Sequence, residues 1–267
     1  MASDNNQALT VIQVTDSHLR REPDGTLLGM NTRRSLDAVL SLVRANHESP
    51  DFVLATGDIA QDGSTEAYEC FHEKMLPFQC PIYWFSGNHD DPGVMAKAVR
   101  NPECLAKVKI FGPWKLIFLD SSVRRKVYGK LAKKELQLLK AELEKDQDKH
   151  VIICFHHHPV DVNCAWLDTI GLHNRDDFFS VIDAYDHVRL ILWGHIHQEY
   201  DQMRNGVRLL ATPSTCVQFK PYSEDFAVDN LAPGYRWLKL YPDGRVDTSV
   251  VRASHIEFEV DLSSKGY

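Results

Sequence analysis

Five short segments of this chain each leave an apolar, strand-like run and carry residue types that bind metal. They are Asp16-Ser17-His18, Gly57-Asp58, Gly87-Asn88-His89-Asp90, His156-His157-His158-Pro159 and Gly194-His195-Ile196-His197. Carboxylates, an amide and several imidazoles in one set suit a pair of borderline metal ions. Such a pair is best used for hydrolysis at phosphorus, because it can activate water and clamp both the entering and leaving oxygens. The set is rich in imidazole and has no thiolate, which favours Mn, Fe, Zn or Co over a dedicated Mg or Ca site.

Two of the segments place polar residues at i and i+2, Asp16 with His18 and His195 with His197. On extended backbone that spacing sends both side chains to one side, so each pair is expected to grip one locus. Gly57 and Gly194 precede ligand candidates and allow tight turns. A lone Gly-Asp is usually just a turn, and Gly-Asn-His-Asp could simply cap a helix opening at Pro92. Gly-His-x-His closing an apolar strand is harder to explain without a metal or proton role.

The elements that must hold these residues alternate between strand and helix. Strands are expected at Leu9–Thr15, Phe52–Thr56, Ile82–Phe85, Lys115–Leu119, Val151–Phe155 and Leu190–Trp193, then at Arg208–Leu210, Arg236–Leu240 and Thr248–Arg252. Thr32 can cap a helix that runs to about Ala45 with Leu36, Val39, Leu40 and Val43 on one face. Ser64–Met75 is a second helix. Leu131–Glu144 is the clearest, with Leu131, Leu136, Leu139 and Leu143 as its stripe and its charges on a solvated face. The wholly apolar runs Val151–Phe155 and Leu190–Trp193 read as strands covered on both faces. The fold class is therefore α/β, one domain over 1–267 with 208–267 as C-terminal strands and tail. Ligand candidates at the carboxyl ends of strands fit the general rule for such folds.

Bulk properties narrow the function. The 267 residues are 43% hydrophobic, with 30 Lys and Arg against 37 Asp and Glu for a net charge of −7. That balance gives no basic stripe for duplex nucleic acid, so a nucleotide substrate must be held by local charge. No apolar run reaches the roughly 18 residues of a membrane span. The short polar stretch Met1 to Gln7 does not resemble a signal peptide, and the six scattered cysteines lack a CxxC pair, so a reducing cytoplasm is the expected location.

The five motifs resemble the signature of the calcineurin-like metallophosphoesterases: Asp-x-His, Gly-Asp, Gly-Asn-His-Asp/Glu, His and Gly-His-x-His. Further stretches are similar to the bacterial CpdA-type cyclic AMP phosphodiesterases, the class III cyclic nucleotide enzymes. These are Leu28–Thr32, Ala55–Asp62 and Leu210–Pro221. The resemblance runs from about Leu9 to the C-terminus and implies a central β-sandwich of two mixed sheets flanked by α-helices.

It also implies a site. Asp16, His18 and His197 would bind one metal, Asn88, His156 and His195 the other, and Asp58 would bridge them. His18, Asp58, Asn88, His89, His156 and His197 would surround the substrate. The family's His-His-Pro-Pro stands here as His156-His157-His158-Pro159, so the ligand is His156 if the motifs align without a gap, and His157 otherwise. With both aspartates ionised, two divalent ions and a bridging hydroxide leave about +1 at the centre, a match for a singly charged phosphodiester, and a mixed-valence pair with one trivalent ion would raise that charge. The expected reaction is hydrolysis of 3′,5′-cyclic AMP to 5′-AMP by that hydroxide, with His89 as general acid and Asp90 as its orienting partner.

A broader phosphodiesterase on other cyclic or linear diesters is the alternative. A catalytically silent scaffold is disfavoured because every motif is filled. The expected partner is a small cyclic nucleotide, with no duplex nucleic acid and no membrane, for a monomer or homodimer. Cys216, Gln218 and Phe219 could line the pocket or pack against the sheet; packing suits Phe219 better.

Overall fold

The structure is a computed structural model and describes residues 8–266. In chain order it begins with β1 (Leu9–Val14), a ribbon of β2 (Thr26–Leu27) and β3 (Met30–Asn31), and α1 (Thr32–Asn46). Then come β4 (Phe52–Ala55), α2 (Thr65–Met75), β5 (Ile82–Trp84) and α3 (Pro92–Ala98). The middle holds β6 (Val108–Phe111), β7 (Trp114–Phe118), α4 (Lys133–Glu144), β8 (His150–Cys154), α5 (Ala165–Asp168), α6 (Arg175–Ile182) and β9 (Val188–Trp193). The last part is β10 (Tyr200–Arg204), β11 (Val207–Ala211), a ribbon of β12 (Gln218–Phe219) and β13 (Val228–Asp229), β14 (Gly234–Leu240) and β15 (Val246–Arg252).

Two mixed sheets form the centre, one of five strands in the order β15-β14-β1-β4-β5 and one of six in the order β10-β11-β9-β8-β7-β6. Strands β1, β4 and β5 run parallel, as do β7, β8, β9 and β11, while β14, β6 and β10 join antiparallel. Side chains alternate across each strand. Val11, Phe52, Leu54 and Leu238 therefore meet Leu116, Ile152, Leu192 and Leu210 between the sheets. Their neighbours Ile12, Val14 and Val53 face the other way, onto Leu36 and Val39 of α1 and Phe71 of α2. Ile117, Ile153 and Ile191 cover α4 and α6 through Leu139, Leu143 and Phe178. The result is the expected helix–sheet–sheet–helix sandwich.

Two polar side chains cross the apolar layer, Arg236 of β14, which donates to the Ala211 carbonyl at 2.9 Å, and its register partner Gln13. Gln13 of β1 donates through Nε2 to Thr56 Oγ1 (3.0 Å) and to the Trp193 carbonyl (3.1 Å), and its Oε1 accepts from Thr212 Oγ1 (2.6 Å). Every polar atom of the amide is used, as a fully buried glutamine requires. The bonds tie the end of β1 to the end of β9.

Several boundaries differ from the sequence reading. Asn31, not Thr32, caps α1 by accepting from Arg34 N at 2.8 Å. Ser64 caps α2. Helix α4 starts at Lys133, leaving Leu131 outside it but still buried against Leu139. A helix does open at Pro92, as α3 with Asp91 as its cap, while α5, α6, β6 and β10 are too short or too exposed to leave a clear period in the sequence. All six cysteines are free.

Candidate metal centre

The loops that follow β1, β4, β5, β8 and β9 come together. Asp16 N donates to the Gly57 carbonyl at 3.0 Å and His18 N to the Asp58 carbonyl at 2.9 Å, so the first two ligand segments are laced side by side. From the other sheet, His195 N donates to both Asp16 oxygens at 3.1 and 3.0 Å. Space here is tight: a β-carbon on Gly57, whose φ is +94°, would stand 2.4 Å from His156 Nδ1. Only glycine fits both that conformation and that approach.

The backbone at the centre corrects the i, i+2 expectation. Asp16 (φ 54°), His18 (45°), Asp58 (48°), His195 (67°) and His197 (50°) all lie in the left-handed region, not in extended backbone. Non-glycine residues there are uncommon and gather at functional sites. Asp16 and His18 still converge, in a group with His197. His195 and His197 do not: His195 joins Asp58 and His156 instead. Left-handed residues on either side of Ile196 send the two imidazoles to different loci.

Protein acceptors set the tautomers. His18 Nδ1 lies 2.5 Å from Gln61 Oε1, His156 Nδ1 2.8 Å from the Thr56 carbonyl, and His197 Nδ1 2.8 Å from the Val217 carbonyl. A carbonyl oxygen can only accept, so each Nδ1 carries a proton and each Nε2 is the atom left to face the centre. His195 is reversed: its Nε2 meets the Ile170 carbonyl at 3.1 Å, which frees Nδ1. Such outer partners orient metal-binding imidazoles in general.

The freed atoms converge on two carboxylates. His197 Nε2 is 3.3 Å from Asp16 Oδ1, and His156 Nε2 is 3.1 Å from Asp58 Oδ2. His18 Nε2 sits 3.0 Å from His197 Nε2, 3.9 Å from Asp16 Oδ1 and 4.0 Å from Asp58 Oδ2. Asp58 thus reaches both groups. Asn88 Oδ1 is buried with no hydrogen-bond partner, and His156 Nε2 meets the Asp58 carboxylate. Ring nitrogens facing carboxylates and a buried acceptor without a donor are what cations between them would satisfy, so the residues fit two metal ions.

The electrostatics agree. Burial raises the Asp58 carboxyl, but His156, His89 and His18 outweigh it and hold the group well below the usual carboxylate range. Asp16 is likewise lowered by His197 and His156 against burial. Burial lowers His18 to about 3 and keeps its imidazole neutral. Burial would also lower His156, but the Asp58 charge and hydrogen bond push it up to about 9. The site holds its carboxylates ionised and asks for positive charge between them and the imidazoles.

The triple histidine resolves into three roles. His156 faces the carboxylates. His157 is fully buried, with Nδ1 2.8 Å from Ser121 Oγ and Nε2 3.0 Å from the Val127 carbonyl, so neither nitrogen is available to a metal. His158 stacks beside His195 with ring centroids 5.6 Å apart. His89 sits partly exposed at the centre; its N–H donates to Asp58 Oδ1 at 2.8 Å and its ring meets His18 edge-on at 5.1 Å. The Asp90 carboxylate accepts from the N–H groups of Ile59, Ala60 and Gly87 and from the Tyr68 hydroxyl. It staples the Asp58 loop to the Asn88 loop. Phe219 packs face-on against His197, centroids 4.2 Å apart.

The supporting acceptors were missed in the sequence. Gln61 lies inside a stretch already singled out, but the Val217 and Ile170 carbonyls carry no signal in residue type.

A sandwich with such a centre defines a class, and the chain belongs to the calcineurin-like phosphoesterase family, which matches residues 9–199. It is 43% identical over 260 residues to the 3′,5′-cyclic adenosine monophosphate phosphodiesterase CpdA of Pseudomonas aeruginosa, covering 97% of this chain and 96% of that one. The CpdA of Escherichia coli K12 is 40% identical over 96% of this chain and 94% of its own. A 3′,5′-cyclic-nucleotide phosphodiesterase of Nostoc is 39% identical over 92% and 93%. Among solved structures, a dimetal phosphatase from Danio rerio superposes with a TM-score of 0.62 at 16% identity, covering 93% of this chain and all of that one. A purple acid phosphatase from yellow lupin gives 0.64 at 14%, covering 92% of this chain and 54% of its own. At those identities the likeness speaks for the fold alone. No helix among the described residues is long and apolar enough to cross a membrane.

Proposed function

We propose that this chain is a metal-dependent phosphodiesterase that hydrolyses 3′,5′-cyclic AMP to 5′-AMP. The reaction type rests on the buried set of two carboxylates and four imidazoles with candidate ligand atoms facing inward. The substrate rests on the near full-length likeness to two enzymes named for cyclic AMP. Asp16, His18 and His197 would hold one ion, Asn88, His156 and His195 the other, and Asp58 both. The ions would be Mn, Fe, Zn or Co, as the nitrogen-rich donor set favours.

Bound there, the two ions would supply an activated water and positive charge for the phosphate oxygens. The chain does the rest. Its tautomer-setting carbonyls keep four imidazoles aimed inward, and its left-handed loops place both carboxylates before substrate arrives. The substrate phosphate would lie among His18, Asp58, Asn88, His89, His156 and His197. His89 would give a proton to the sugar oxygen that departs as the P–O bond breaks, and take one back from solvent. Asp90 would act at one remove, by fixing the loop that carries His89.

The deciding experiment is reconstitution with Mn or Fe, then kcat/KM for cyclic AMP, cyclic GMP, 2′,3′-cyclic nucleotides and bis-p-nitrophenyl phosphate. Clear preference for cyclic AMP is expected. Equal values across the panel would replace the dedicated reading with a broad phosphodiesterase, and no turnover of any diester would end both.

A further inference from the structure

His157 occupies the position next to a metal-ligand candidate yet has both nitrogens spoken for. Its Nε2–H donates to the Val127 carbonyl at 3.0 Å, so in the neutral ring Nδ1 accepts from the Ser121 hydroxyl at 2.8 Å. The main-chain N–H of His157 reaches the same hydroxyl at 3.4 Å. Behind the ring is Gly129, where a β-carbon would stand only 2.4 Å from His157 Cγ. The imidazole is thus clamped on both edges and one face. Its other contacts are the rings of His156, edge-on with centroids 5.0 Å apart, and of His195, tilted at 4.6 Å. Both of those residues belong to the Asp58 group.

The other group has a different neighbour. His197 lies nearly parallel to Phe219, 12° and 4.2 Å apart. Phe219 is itself held edge-on by Trp166 at 5.1 Å and Phe226 at 5.4 Å. The ring is 1% exposed, so it cannot swing away without breaking that aromatic cluster.

We infer that the two metal loci are braced independently, His157 acting as the positioning residue for His156 and His195, and Phe219 as the positioning residue for His197. This rests on the two-ion reading above and adds that each ion's affinity is set by a separate support. Neither residue touches substrate. Each limits the rotation of a ligand ring and so the entropy lost when that ring is fixed on a cation.

Manganese binding to the purified, metal-free full chain tests this, with stoichiometry and affinities read by calorimetry. Wild type should take two ions. His157→Phe keeps an aromatic ring but loses both hydrogen bonds, and should weaken one ion by roughly 10–100-fold, the usual effect of losing an outer-shell partner. Phe219→Leu should also weaken one ion. The Asn88→Ala background separates them, because only the Asp16, His18 and His197 locus keeps its full donor set there. In that background His157→Phe should change the remaining affinity by less than about twofold, as expected for independent sites. Phe219→Leu should weaken it about tenfold or more. His157→Gln, whose amide can still donate to Val127, should recover part of the loss.

A general packing role would instead lower both affinities together, along with the melting temperature of the metal-free protein. That result, or no loss in either variant, overturns the independent braces while leaving the metal centre intact. A wild-type chain that cannot take two ions overturns the metal-centre reading and the braces with it.

Discussion

His156 Nε2 and Asp58 Oδ2 stand 3.1 Å apart, both buried, at the point where the two sheets deliver their ligands. The Asp58 carboxylate is also the acceptor for His89 N, so it links the proposed shared metal position to the loop of the candidate acid. Asp58→Ala is expected to lose metal and activity together. Loss of a supporting partner alone costs 10–100-fold in affinity, so removal of the shared ligand should exceed about 100-fold. Metal content measured by elemental analysis decides it, and two tightly held ions per variant chain would rule out the shared role.

For His89 the discriminating variable is the leaving group. His89→Ala should lower kcat on cyclic AMP by roughly 10²–10⁴-fold while both ions stay bound. An activated aryl diester needs little help from an acid and should lose far less. If bis-p-nitrophenyl phosphate suffered as much as cyclic AMP, proton donation would be the wrong account.

Metal removal should be visible in stability without any assay of turnover. A ligand that binds only the folded chain at 100 times its Kd adds about 2.7 kcal/mol per site. For a chain of this size that corresponds to roughly 5–10 °C in Tm per site. Differential scanning fluorimetry with a chelator, followed by added Mn, should show the loss and its recovery. An unchanged Tm on both steps would contradict a preformed site.

Away from the centre, Lys115 offers a pH test. Its ammonium is fully buried on the α4 side of β7, 2.8 Å from Glu142 Oε2 and 3.2 Å from Asp146 Oδ2. Burial raises the Glu142 carboxyl, but hydrogen bonds from Lys115 and Lys145 outweigh it and leave the group below its ordinary 4.5. A depressed folded value means stabilisation that is complete above the unfolded value and is lost as pH falls through the folded one. Lys115→Met should therefore shrink the wild-type advantage in urea midpoint as pH drops from about 6 to about 3. A gap that stayed constant over that range would show the pair contributes nothing through ionisation.

The sequence made the reaction more legible than the geometry that performs it. Gly-Asn-His-Asp and Gly-His-x-His were visible because their residues are contiguous and rare at the ends of apolar strands. The separation of His195 from His197 followed from the family resemblance but not from the i, i+2 spacing, because left-handed backbone leaves no mark on a pattern of alternation. The choice between His156 and His157 could not be settled either. It depends on which ring nitrogens the Thr56 and Val127 carbonyls occupy, and those acceptors are 100 and 30 residues away in the chain. Helix α4 was read almost correctly from its leucines, whereas β10, whose residues are mostly exposed, gave no apolar period to read.

Both ligand clusters are of mixed parentage. Asp16 and His18 come from the five-stranded half and His197 from the other; Asp58 comes from the first and His156 and His195 from the second. Gln13 fastens the two halves three residues before Asp16 and two before His195. A chain cut between α3 and β7 would split both of these clusters, although a third group, His18 with Asp58 and His89, lies wholly in the first part. On the proposed two-ion reading, the full centre would therefore form only when both sheets are in place.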